Sequence, residues 1–220
     1  MEKNNDFILE IKNLNLSYGA NRILSSFNFS QRRDTITCIT GKSGIGKTTV
    51  MMAVVDPDDL VGATIDGEIY FDNVRIDNKS RRQRADFCRG RLSVMLQDSA
   101  SSLDPVMTVG RQMLEVLGNK EMVKKQLADV LFDNPDEIYK MYPHNLSGGM
   151  KQRVCLAMAI GSNPKLLILD EPYANIDEES KKQLMSHIID KKRETQMAVL
   201  IITHDRKQAI DFADEIIVME

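Results

Sequence analysis

Five short runs of almost uninterrupted apolar residues are spread along the chain. They occupy residues 35–39, 92–96, 166–169, 199–202 and 216–219. A strand that is covered on both faces has no polar side to show, so such runs are typical of a parallel sheet packed between helices. The pattern predicts an α/β fold with a mainly parallel core sheet.

The N-terminal part of the chain has a different pattern. Residues 7–30 alternate between apolar and polar positions around the turn-forming sequence at 19–21, and residues 69–71 form another short strand before Asp72 and Asn73. Alternation of this kind indicates strands with one covered face. We therefore expect an N-terminal antiparallel β subdomain.

Between Gln97 and Leu146 no strand-like run occurs, and apolar residues recur at helical spacing instead. The two recurring sets are Val109, Gln112, Met113, Val116, Leu117 and Val123, Leu127, Val130, Leu131. This spacing predicts a helical subdomain at about 98–160, inserted in the α/β core. No repeat or long linker divides residues 1–220, which we interpret as a single domain.

Charge and cysteine content exclude several classes of protein. The 29 basic and 32 acidic side chains give a net charge of −3, so no global field favours nucleic acid. Cys38, Cys88 and Cys155 are too widely separated to indicate a disulfide framework or a metal site. No run of about 18 apolar residues could span a bilayer, so a transport role requires separate membrane subunits.

A glycine-rich loop follows the first apolar run and precedes a helical stretch. It matches the phosphate-loop pattern G-x-x-x-x-G-K-[ST] and comprises Gly41, Lys42, Ser43, Gly44, Ile45, Gly46, Lys47 and Thr48, with Thr49 next. Backbone N–H groups and a helix N-terminus can surround triphosphate oxygens. Lys47 is expected to bridge the β- and γ-phosphates of a nucleoside triphosphate, and Thr48 to offer its hydroxyl to Mg²⁺.

Asp170 and Glu171 end the apolar run at 166–169. The carboxyl edge of an open parallel sheet is where ligand-binding groups gather. Asp170 is expected to hold Mg²⁺, and Glu171 to orient and deprotonate the attacking water. Taken without the phosphate loop, the alternative is a solvated acidic turn before Pro172.

A second anion-binding device precedes a predicted helix at 150–160. Its sequence is Leu146-Ser147-Gly148-Gly149-Met150-Lys151-Gln152-Arg153, in which Ser147 can cap the helix. With the acidic strand end downstream, these motifs closely resemble the ATP-hydrolysing subunits of ABC transporters, whose signature is LSGG. The resemblance runs from about Leu9 to the C-terminus and implies the ABC-ATPase form of the P-loop NTPase fold. It further implies a head-to-tail dimer in which Ser147, Gly148 and Gly149 touch the γ-phosphate of ATP bound to the opposite subunit.

The same resemblance suggests roles for four other residues. Gln97 corresponds to a glutamine that reaches Mg²⁺ and water, and His204 to a histidine that contacts the γ-phosphate. Tyr18 corresponds to the aromatic residue that stacks on adenine, and Asp177 to an aspartate that couples the two sites of the dimer. A half-covered strand tyrosine is the alternative for Tyr18, and residues 173–176 depart from the family's small-residue pattern.

The segment Gln97-Asp98, the stretch 101–110 and Tyr142-Pro143-His144 resemble the peptide and nickel importer ATPases of this family. The resemblance implies an ATPase at the cytoplasmic face of the membrane, bound to two permease subunits and a second ATPase subunit, identical or different. An extracytoplasmic solute-binding protein would supply peptide, nickel or a metal–metallophore complex. An exporter ATPase and a soluble ABC-type ATPase are the alternatives. The arginines at 81–91 are interpreted as a solvated face, with no nucleic-acid partner.

Overall fold

The apolar runs form a five-stranded parallel sheet in the computed structural model, which describes residues 6–98, 102–173 and 176–219. Its order is β6-β7-β8-β3-β9. The bounds are β3 Ile36–Gly41, β6 Leu92–Met95, β7 Leu166–Asp170, β8 Ala198–Thr203 and β9 Glu215–Met219.

Both faces of this sheet are covered, which explains the lack of polar positions. Every residue of β7 and β8 is buried. Leu167 and Leu169 belong to one apolar cluster, whereas Leu166 and Ile168 belong to another on the opposite face. The predicted α/β core is confirmed.

A second, antiparallel sheet has the order β2-β1-β4-β5. Its strands are β1 Phe7–Tyr18, β2 Asn21–Arg32, β4 Ala63–Phe71 and β5 Val74–Arg75. The antiparallel region was predicted, but β1 and β2 are each 12 residues long rather than short. Breaks in the β1–β2 register accommodate polar positions such as Asn13, whose φ is 51°. The apolar face of this sheet packs on helix α1 and on one face of the parallel sheet.

The helices connect and cover the strands of the two sheets. Their bounds are α1 Lys47–Val55, α2 Arg81–Cys88, α3 Val109–Leu117, α4 Lys120–Asp129, α5 Pro135–Lys140, α6 Gly148–Gly161, α7 Glu178–Thr195 and α8 Arg206–Phe212. Short 3-10 turns occupy Pro57–Asp59 and Pro143–Asn145. The two sets of helically spaced residues fall mainly on α3 and α4, and no strand occurs between Gln97 and Leu146 among the described residues.

Helices α3 to α6 pack around a shared apolar cluster that includes Met113, Leu127, Ile138 and Val154. The contact of α3 with α5 is close, because a Cβ at Gly110 would lie 2.3 Å from the ring of Tyr139. These contacts hold α6 against its neighbours and thereby fix the position of its N-terminus. That residues 98–160 are a distinct subdomain stays a prediction.

Helix α2 differs in one respect from the predicted solvated arginine face. Arg84 is buried, with 5% of its surface exposed, and it donates hydrogen bonds to the carbonyls of Ile76 and Lys79. It also pairs with Asp58 at 3.3 Å. One arginine of the run therefore braces the loop before α2 instead of facing solvent.

Two parts of the predicted motifs, Ser101 and residues 174–175, lie outside the described residues. Within the described ranges, no helix has the length and apolar character needed to cross a bilayer.

Candidate nucleotide site

The glycine-rich loop connects the carboxyl end of β3 to the N-terminus of α1. Gly46 precedes the helix with φ 102°, a conformation that glycine adopts without strain. A Cβ at Gly46 would also lie 3.0 Å from Cγ2 of Ile23 on β2. No side chain caps α1, so the N–H groups of its first turn are available to an anion.

Lys47, the first residue of α1, is buried with 8% of its surface exposed. Its ammonium nitrogen donates hydrogen bonds to the carbonyls of Gly41 at 2.8 Å and Lys42 at 2.9 Å. The charged group is therefore held inside the loop, where it can reach a phosphate that enters.

Thr48 and Asp170 join the loop to β7. The Thr48 hydroxyl donates to Oδ2 of Asp170 at 2.7 Å. Asp170 is 1% exposed, and burial is the main cause that raises the pKa of its carboxyl group. The charge of Glu171 acts in the same direction, while the Thr48 hydrogen bond and the charge of Lys47 oppose it.

Glu171 follows β7 with a left-handed φ of 48°. Its N–H continues the sheet by donating to the Ile202 carbonyl at 2.9 Å, and its carbonyl accepts from Nε2 of Gln152 at 3.1 Å. Its carboxylate accepts from the backbone N–H of His204 at 2.9 Å and from the Thr203 hydroxyl at 3.3 Å. Nδ1 of His204 lies 2.7 Å from the same carboxylate.

These groups surround a cavity of about 410 Å³. It is lined by Ser43, Gly44, Gly46, Lys47, Thr48, Thr49, Gln97, Asp170, Glu171 and His204. An adjoining cavity is lined by Gly41, Lys42, Ser43, Ile45, His204, Val218 and Met219. The structure thus brings together the phosphate loop, both acidic residues, the glutamine and the histidine that the sequence singled out.

Five predicted residues are not among those that line either cavity. Tyr18 ends β1 with 38% of its surface exposed, on the hairpin whose Ile23 contacts Gly46. Asp177 caps α7 by accepting from the Ser180 N–H at 2.9 Å, and its hydrogen bonds with Ser180 lower the pKa of its carboxyl group.

The remaining three residues begin α6. The Ser147 hydroxyl accepts from the Met150 N–H at 3.3 Å, which confirms the predicted cap. A Cβ at Gly148 would meet no atom within 4 Å. Ser147 and Gly148 are exposed and Gly149 is half-buried, and none of the three lines either cavity.

The family model described as "ABC transporter" matches residues 24–174, which is more than half of the chain. The chain belongs to the ABC transporter family. It is an ATP-binding and ATP-hydrolysing subunit of that family.

Curated relatives of this ABC subunit extend the agreement over nearly the whole chain. The dipeptide transport ATP-binding protein DppD of Escherichia coli is 31% identical, over 96% of this chain and 69% of the relative. The oligopeptide transport ATP-binding protein OppD of the same organism is 34% identical, over 97% of this chain and 67% of the relative. The chain therefore spans about two thirds of these relatives.

Solved structures of ABC proteins share the fold. The dimeric structure of MJ0796, a bacterial ABC transporter cassette, has a TM-score of 0.84 at 21% identity, covering 96% of this chain and 94% of that one. CbiO1 from Clostridium perfringens, part of the transporter complex cbiONQ, has a TM-score of 0.80 at 27% identity, covering 98% and 86%. The predicted ABC-ATPase fold is confirmed.

Two residues of this ABC site had no role assigned from the sequence. Thr203 and Gln152 each donate a hydrogen bond to Glu171. Gln152 is 19 residues from Glu171 along the chain, and no local pattern reports a contact across such a distance. The position of Thr203 at the end of a buried strand could have suggested a role in the site.

Proposed function

We propose that this chain energises an ABC importer of peptides, nickel or a metal–metallophore complex. The observation that carries the proposal is the convergence of Lys47, Asp170, Glu171 and His204 on one cavity beside a helix N-terminus. The peptide cargo is supported by the names of the similar DppD and OppD proteins.

Binding of ATP begins at the loop. The triphosphate competes with the Gly41 and Lys42 carbonyls for the ammonium of Lys47, and the first turn of α1 offers N–H groups to the phosphate oxygens. Tyr18 is proposed to contact adenine from the neighbouring hairpin, since its exposed ring can stack.

The residues present fit Mg²⁺. The Thr48 hydroxyl and Asp170 carboxylate provide adjacent oxygen donors, with Gln97 on the same cavity. Burial raises the pKa of the Asp170 carboxyl group, and a cation beside it would oppose that shift by favouring the charged form. When bound, Mg²⁺ supplies charge neutralisation for the phosphates.

Glu171 is proposed as the base. It takes a proton from water as the water oxygen bonds to the γ-phosphorus and the bond to the bridging oxygen breaks, releasing ADP and phosphate. The His204 imidazole and backbone N–H, with the Thr203 hydroxyl, orient the carboxylate. As an alternative, the His204 ring N–H can donate to the γ-phosphate, because its side chain is 74% exposed.

A second ATPase subunit is proposed to complete each site. The open turn at Ser147, Gly148 and Gly149 has room for a phosphate group presented by another chain. The dimeric arrangement of the MJ0796 cassette supports this reading. Asp177, beside the cavity-lining segment that contains Asp170 and Glu171, is proposed to lie at the interface.

The membrane partners are proposed to bind near the segment after Gln97. A groove of about 200 Å³ separates β6 from α3 and α6, and its lining includes Leu103, Val116 and Met158. Val106, close to it in sequence, is 79% exposed. Ser93, Ser102 and Gln112 also line the groove. A mixed surface of this kind suits a permease loop, which would hold this subunit at the cytoplasmic face of the membrane.

The test of the chemistry is Glu171→Gln. ATP binding should persist, while hydrolysis should fall by roughly 10²- to 10⁴-fold, the usual contribution of a general base. Glu121→Gln, an exposed substitution on α4, is the matched control. Hydrolysis at the unmutated rate by Glu171→Gln would show that another group acts as the base.

The test of the transport role is affinity purification of the chain from detergent-solubilised membranes of cells that express it. Recovery of two membrane-spanning permeases, with hydrolysis stimulated by a peptide or nickel-loaded binding protein, is the expected result. Recovery of only soluble nucleic-acid or ribosome factors would overturn the importer proposal and leave the nucleotide site intact.

A further inference from the structure

Gln152 lies in the second turn of α6 and is 6% exposed. Its Nε2 donates to the backbone carbonyl of Glu171 at 3.1 Å. We call Ser147, Gly148 and Gly149 the signature turn. The contact joins the helix that begins at this turn to the residue proposed as the catalytic base. Buried polar groups are normally paired, so the contact could serve folding alone.

The backbone conformation of Glu171 indicates that the Gln152 contact does more than pair a polar group. A φ of 48° is uncommon for a residue with a side chain, and it persists only where the surroundings enforce it. The N–H of Glu171 is held by the Ile202 carbonyl, and its carbonyl by Gln152. A change in the backbone torsions of Glu171 would move its side chain relative to His204, whose Nδ1 lies 2.7 Å from the carboxylate.

We infer that Gln152 is a positioning residue for hydrolysis, which holds the strained backbone of Glu171 so that its carboxylate stays against His204. This inference rests on the proposed role of Glu171. Gln152 is five residues after Ser147, so the contact connects the helix that Ser147 caps to the carbonyl of Glu171.

The kinetic test uses Gln152→Met, which has a similar volume but no donor. We expect kcat for ATP hydrolysis to fall about tenfold, the effect of losing one hydrogen bond to a part-buried carbonyl, with KM for ATP unchanged. Gln126→Met is the matched control, because Gln126 is a buried glutamine on α4 whose Oε1 has no hydrogen-bond partner. A kcat for Gln152→Met equal to that of the unmutated protein would overturn the inference.

A second readout does not depend on hydrolysis. The ¹⁵N resonances of the His204 ring, recorded on the full chain without nucleotide, report its contact with Glu171. Gln152→Met should move these resonances in the same direction as Glu171→Gln does, and Gln126→Met should leave them in place. The inference fails if Gln152→Met leaves them in place, or if Glu171→Gln itself does not move them.

The two readouts separate this inference from the proposed function. If Glu171→Gln hydrolyses ATP normally, the proposed base is wrong, while the His204 resonances still report whether Gln152 positions Glu171. If Gln152→Met does not fold, Gln152→Asn keeps a polar group but withdraws it from the carbonyl, and it should give the same spectral and kinetic changes. Normal values for Gln152→Asn would also overturn the inference.

Discussion

The phosphate loop and the signature turn both place glycines at a helix N-terminus, but the surroundings of the two turns differ. At the phosphate loop, Lys47 is 8% exposed and Asp170 is 1% exposed, and both line the same cavity. At the signature turn, Gly148 faces open space. The phosphate loop has charged side chains of the same chain beside it, whereas the turn at Gly148 faces open space.

The difference follows from the elements that carry each turn. The phosphate loop leaves β3 at the sheet edge where β7 and β8 also end, so Asp170 and His204 reach it. The signature turn begins α6, whose body is packed among the helices through Val154 and Leu156. A helix N-terminus therefore becomes a complete site only when the topology brings other strand ends to it.

The largest expected effect on nucleotide binding comes from a change in the phosphate loop. Lys47→Ala should weaken ATP binding about 10- to 100-fold, because it removes a charge-assisted contact with the phosphates. Titration with a fluorescent ATP analogue measures the change, and the exposed Lys182→Ala on α7 is its control. Equal affinities for Lys47→Ala and the unmutated chain would mean that the loop does not hold the triphosphate.

A smaller effect is expected from a change in the signature turn, and it should distinguish the role of this turn from that of the phosphate loop. Gly148→Ala adds a methyl group that meets nothing within 4 Å in this chain, so ATP affinity and thermal stability should be preserved. In the Glu171→Gln background, however, we expect ATP-dependent dimerisation to weaken by about tenfold, since the methyl group would occupy the approach of a phosphate.

Analytical ultracentrifugation with and without Mg-ATP measures this dimerisation. A dimer of unchanged stability in Gly148→Ala would indicate that the signature turn stays outside the interface. Loss of nucleotide binding by the single chain would instead place the turn within one subunit's own site.

The smallest expected effect tests the cost of burying the charge of Asp170. Burial raises the pKa of Asp170 in the folded protein, so this group stabilises the fold below the unfolded pKa and loses that contribution as pH rises. At pH 7, with EDTA and no nucleotide, Asp170→Asn should raise Tm by about 3 °C, since roughly 1 kcal/mol shifts a chain of this size by 2–4 °C.

The difference in Tm should shrink as the pH falls toward the ordinary Asp value of 3.8. Asp170→Asn should also remove the effect of Mg²⁺ on ATP affinity. Scanning calorimetry across pH provides the measurement, and a lower Tm for Asp170→Asn at pH 7 would contradict the expected cost of the buried charge.

The sequence predicted those parts of the molecule that local chemistry determines. Continuous apolar runs identified β7 and β8, and the glycine-rich loop and the acidic strand end together account for eight of the ten residues that line the main cavity. These features follow from burial and from the needs of a triphosphate, both of which appear within short segments.

What could not be predicted depends on contacts between distant segments. Arg84 looks like its exposed neighbours in the sequence, and only the packing of α2 against the loop carbonyls of Ile76 and Lys79 buries it. The left-handed turn at Glu171 and the donor from Gln152 have the same origin. Such contacts arise from tertiary packing, which a single sequence does not record.

The hydrogen bonds from Lys47 to the Gly41 and Lys42 carbonyls have a thermodynamic consequence for nucleotide selectivity. The ammonium is already partly satisfied, so a weakly charged ligand gains little by drawing it away, whereas a triphosphate more than compensates for the two contacts. The two carbonyls thus compete with the phosphates for the Lys47 ammonium, and we expect a ligand of low negative charge to displace them less readily than a triphosphate does.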